Sequence, residues 1–73
     1  MTPGQCRAAR ALLDMSEAQL TQAAVVPRRV VEDFEAGAGA EDPAHLEAIQ
    51  QALERAGVDF SDGKRPGVWL RKG

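Results

Sequence analysis

Reactive side chains are scarce in this 73-residue sequence, which has one cysteine, one histidine and no tyrosine. Cys6 and His45 stand far apart, and neither a glycine-rich phosphate loop nor metal-ligand spacing occurs. We therefore expect no catalytic residue, no cofactor and no metal. His45, just inside the start of a predicted helix, reads as a surface residue. Cys6 reads as core, because a free cysteine behaves as a small hydrophobe. A lone cysteine excludes an internal disulfide and fits a reducing cytoplasm. No apolar run approaches the ~20 residues of a membrane span, and no basic start leads into an apolar signal core. The expectation is a soluble cytoplasmic chain with no membrane partner.

Length allows one domain over residues 1–73 and no more. A chain this short buries only ~60% of the surface exposed when unfolded. The apolar fraction of 44%, with four prolines and seven glycines, is that of a globular chain. The net charge of −2 hides a pattern: residues 14–62 carry all eleven acids and only Arg28, Arg29 and Arg55 as bases. The remaining bases, among them Arg71 and Lys72, flank that acidic centre. Nucleic-acid-binding domains are mostly basic, so composition alone argues mildly against that partner.

Punctuation then divides the chain into helices at about 3–14, 17–24, 28–36 and 43–56, with a hairpin at about 58–71. Thr2-Pro3-Gly4-Gln5 and Ser16-Glu17-Ala18-Gln19 read as capping boxes. Cys6, Ala9 and Leu13 face inward on the first helix, with Leu12 beside them as a further candidate. Leu20 and either Ala23 or Ala24 face inward on the second. Pro27 opens the third helix, where Val30, Val31 and Phe34 form the apolar side until Gly37 stops it. Asp42 and Pro43 open the fourth, which buries Leu46, Ile49, Ala52 and Leu53, and Gly57 closes it. One core is predicted from Leu13, Leu20, Val31, Phe34, Leu46, Ile49, Leu53 and Phe60. Arg28, Arg29, Glu32 and Asp33 fall on the outer side, and the acids there, including Glu35, are read as lying on an open helix.

Leu13-Asp14-Met15-Ser16-Glu17-Ala18-Gln19-Leu20, followed by Ala24-Val25-Val26-Pro27-Arg28-Arg29-Val30-Val31-Glu32-Asp33-Phe34-Glu35-Ala36-Gly37, resembles the helix-turn-helix of the Xre/Cro family of phage-repressor-like regulators. The runs around Leu46-Glu47-Ala48-Ile49, Ala52–Phe60 and Pro66–Arg71 resemble the C-terminal stretch of small bacterial members. The resemblance implies a mainly α, lambda-repressor-like four-helix domain with a C-terminal hairpin. It also implies a transcriptional regulator that binds double-stranded DNA through residues 28–36. The DNA-binding set is then Glu17, Pro27, Arg28, Arg29, Glu32, Asp33 and Lys72. Arg28 and Arg29 can fork onto guanine O6 and N7, while Glu32 or Asp33 can accept from cytosine N4.

Four residues depart from the family pattern: Asp14 replaces a glycine, Glu17 a glutamine, Val25 the turn glycine and Asp33 a polar or basic residue. A close like-charge pair costs ~1 kcal/mol or more near a surface, so carboxylates beside phosphate are unfavourable. Arg28–Glu32 and Arg29–Asp33 are also i, i+4 pairs within one helix. The alternative is therefore the same fold turned to protein binding, as an antirepressor, a transcription cofactor or a DNA-mimicking surface. Strand alternation sends Val68 and Leu70 to the core side and leaves Trp69 outward beside Arg71. Trp69 either covers its own hairpin or, with Val68 and Leu70, forms a homodimer contact.

Overall fold

The computed structural model describes residues 1–39, 42–61 and 66–71. These form α1 (Pro3–Leu13), α2 (Glu17–Ala24), α3 (Arg28–Glu35), α4 (Pro43–Ala56), β1 (Val58–Ser61) and β2 (Gly67–Leu70). The chain is thus mainly helical among its described residues, with one small antiparallel hairpin. No described helix is long and apolar enough to cross a membrane.

Each helix starts where its cap dictates. Thr2 accepts from the Gln5 N–H at 3.1 Å while Gln5 accepts from the Thr2 N–H at 2.7 Å. Ser16 and Gln19 repeat this reciprocal pairing at 3.0 and 2.8 Å. Asp42 accepts from the Ala44 N–H at 2.9 Å ahead of Pro43. Two helices end one residue earlier than their periodicity predicts. Asp14 turns left-handed at φ 53° and closes α1, and Ala36 only caps α3 before Gly37 at φ 90°.

The core is shared by all four helices and β1. Cys6, Leu20, Val31, Ile49, Leu53 and Val58 are fully buried, and Phe34 nearly so. Leu13, Met15, Val30, Leu46, Phe60 and Val68 pack against this cluster from its margin. Ala24, not Ala23, takes the inner position on α2, and Leu12 is exposed. Full burial of a leucine is worth about 1.5–3 kcal/mol, so a handful of such residues holds the fold.

The hairpin pairs Val58 with Leu70, Asp59 with Trp69 and Phe60 with Val68. That register puts Leu70 on the core side, as alternation requires, yet 48% of it remains exposed. It ends β2 opposite Val58, which already occupies the buried position. Of the turn-rich stretch 62–66 between the strands, residues 62–65 lie outside the described residues, as do Lys72 and Gly73.

Two polar side chains pin the hairpin to the helices. Gln5, only 5% exposed, donates its amide to the carbonyls of Ser61 and Gly67, both at 2.9 Å. One side chain thus caps α1 and fastens the strand pair. At the other end the Arg71 guanidinium reaches the Val58 carbonyl at 3.1 Å, the Asp59 carboxylate at 2.9 Å and the Glu54 carbonyl. The Val58 carbonyl is therefore occupied rather than open to another strand.

Candidate nucleic-acid interface

The candidate interface is built from α2, the turn after it and α3. The Ser16 capping box sets the start of α2, and Leu20 and Ala24 anchor its inner side. At its end Val25 adopts φ 55° and ψ 51°, left-handed backbone, with its N–H donating to the Thr21 carbonyl. A non-glycine residue pays roughly 1–2 kcal/mol there, because Cβ crowds the carbonyl oxygen. Branching at Cβ makes valine one of the least suited residues. Val26 dips back into the core, and Pro27 at φ −61° leads into α3. Pro27 makes no side-chain cap, so the first N–H groups of α3 have only backbone and solvent to satisfy them.

Val31 and Phe34 turn inward on α3, which leaves Arg28, Arg29, Glu32 and Asp33 exposed together on the outer face. This matches the face predicted from the periodicity. Arg28 Nε lies 3.7 Å from Glu32 Oε1, an i, i+4 pair between exposed side chains. Such a pair contributes ~0.3–0.5 kcal/mol and opens easily. Among the described residues the expected Arg29–Asp33 ion pair does not form. Both instead line an open cleft with Val30, Gly39, Asp42 and His45. Glu17 lies in the first turn of α2, where its charge acts on Arg10.

Glu35 corrects the picture of an open acidic helix, since it is only 7% exposed. Arg10 grips both of its oxygens, Nε to Oε2 at 2.7 Å and a terminal nitrogen to Oε1 at 2.6 Å. The Cys6 thiol donates to Oε2 at 3.2 Å, and Arg7 donates to the Glu35 backbone carbonyl. Arg10 also holds the Met15 carbonyl at 3.1 Å, so one guanidinium ties α1, the approach to α2 and α3 together. Burial by itself raises the Glu35 carboxyl. The hydrogen bonds from Arg10 and Cys6, with the charges of Arg10 and Arg7, outweigh it and hold the group below its ordinary value. Burial pushes the Cys6 thiol up, and the Glu35 hydrogen bond and charge add to this, so it stays a neutral donor. The hydrogen bond to Glu35 raises Arg10 in turn. The signal for this brace is present in the sequence, since Glu35 lies one helical turn past Val31 and shares its inward side.

On the hairpin, Trp69 is 49% exposed and Leu70 is similar, whereas Val68 is half-buried against the core. The three residues named for a dimer contact are thus not equally available. Lys72, the remaining predicted DNA contact, lies outside the described residues. Among the described residues no group of three or more His, Cys, Asp or Glu side chains is placed to hold a metal ion. No protein-family model matches this chain, and no curated protein matches it either.

Proposed function

We propose that this protein is a sequence-specific, double-stranded DNA-binding transcriptional regulator, with the Xre/Cro-like helix-turn-helix formed by α2 and α3. In this reading α3 is the recognition helix. One observation carries it: α3 buries Val31 and Phe34, is braced through Glu35, and presents Arg28 and Arg29 side by side at its exposed first turn. Recognition helices work with their N-terminal residues at the base edges of the major groove. Arg29, free of the expected Asp33 pair, is the better placed for a bidentate guanine contact. The i, i+4 bond holding Arg28 is worth less than such a contact, so Glu32 does not prevent its use. Asp33 and Glu32 then select for cytosine N4 rather than contribute affinity.

A single short recognition helix makes few contacts, so the proposal includes a homodimer, with half-sites about 34–36 Å apart on the duplex. The exposed Trp69 and Leu70 offer an apolar surface for it. In vitro selection from a random duplex library tests the reading. A discrete motif, bound with affinity that falls linearly in log salt, is the expected result. The exposed carboxylates of Glu32 and Asp33 favour the second reading, a surface of this fold that binds protein. No enrichment at low salt would decide for that alternative.

A further inference from the structure

Val25 combines a left-handed backbone, which the turn closing α2 requires, with a side chain that the core does not use. Its backbone is left-handed at φ 55°, and its isopropyl group is 87% exposed. Asp14 is the other described non-glycine residue at positive φ, but a short polar side chain is tolerated there. Val25 lacks that tolerance, and a side chain so exposed contributes almost nothing to the core in return. Glycine or asparagine would hold the same turn more easily.

The position of the group gives it a use. Val25 sits at the corner between α2 and α3, three residues before Arg28, and nothing among the described residues covers it. Apart from the exposed Pro27 ring, its methyls are the large apolar group nearest in sequence to the two arginines on the exposed surface. The major groove offers one apolar feature, the 5-methyl group of thymine. Resting on the DNA-binding reading above, we infer that Val25 is a specificity-determining residue that packs against a thymine methyl beside the bases read by Arg28 and Arg29. The strained turn would then be retained because it projects this side chain toward DNA.

Removing the methyl from either side tests this. The probe is the duplex enriched from a random library by the wild-type full-length chain, remade with each thymine in turn replaced by deoxyuridine. Wild type is expected to lose about fourfold in affinity at one thymine, the worth of roughly one buried methylene. V25G and V25N are expected to bind the parent duplex about fourfold more weakly and to ignore that same replacement, while melting no lower than wild type. Two substitutions guard against a fault in one. A selected duplex on which deoxyuridine affects wild type and both variants equally at every position overturns this inference alone. Failure to enrich any duplex removes the DNA-binding reading, and this inference with it.

Discussion

Arg10 holds Glu35 through both carboxylate oxygens, at 2.6 and 2.7 Å, and Glu35 and Gln5 are the buried polar residues among those described. Planar two-pronged pairing is the geometry in which a buried ion pair offsets its own desolvation. Because α3 has only eight residues, this pair helps decide the angle at which its outer face meets solvent.

Removing one partner should therefore cost more than removing both. Arg10→Met alone is expected to lose about 3–5 kcal/mol, since Glu35 would stay buried without its cation. The double variant Arg10→Met, Glu35→Leu should recover a large part of that loss. Denaturant unfolding of wild type, Arg10→Met and the double variant measures it, and a double variant no more stable than Arg10→Met would refute the brace.

Acid should act on the same pair. The folded carboxyl of Glu35 sits below its unfolded value of about 4.3, so its stabilisation is complete above that pH. It is lost as pH falls through the lower folded value. Glu35→Gln should be less stable than wild type near neutrality and should show a shallower decline in stability below pH ~4.3. Equal slopes for the two proteins across that range would contradict the assignment.

Gln5→Ala leaves the Ser61 and Gly67 carbonyls without their donor and removes half of the α1 capping box. A loss of about 1–3 kcal/mol is expected. Amide exchange across β1 and β2 should accelerate more than in α2. Uniform acceleration over the chain would mean that Gln5 does not fasten the hairpin.

Trp69→Ala should weaken self-association while leaving the melting temperature of the monomer nearly unchanged, because half of the ring is already in solvent. Multi-angle light scattering against concentration reads this. A monomer at every concentration, or an undiminished dimer in the variant, would remove Trp69 from the interface.

Helix boundaries were legible because they are set locally. Thr2, Ser16 and Asp42 accept from nearby backbone N–H groups, and Pro3 and Pro43 preset the first turn. The outer face of α3 was legible from the spacing of Val31 and Phe34. The buried polar contacts were not. Gln5 reads as a cap in any local window, and only the return of the chain to β1 and β2 reveals its second role. Glu35 lies one turn past Val31 on the inward side of α3, but its partner is known only once Arg10 is brought from α1 to meet it. Leu70 obeys strand alternation yet stays exposed, because alternation assigns a face and not the depth of cover. The left-handed backbone of Val25 follows from the turn itself, since Val25 stands where the resemblance places a glycine.

The central claim is that α3 reads DNA through its first turn. Titrating the wild-type chain, Arg28→Ala and Arg29→Ala with the enriched duplex and its single-base variants, by fluorescence anisotropy, tests it most directly. Each arginine variant should lose about 1–3 kcal/mol and relax the base preference at one position. Lys72→Ala should weaken binding to all duplexes alike, and Asp33→Lys should strengthen non-specific binding. Unchanged affinity and unchanged base preference in both arginine variants would contradict the account, because α3 would then not be the reader.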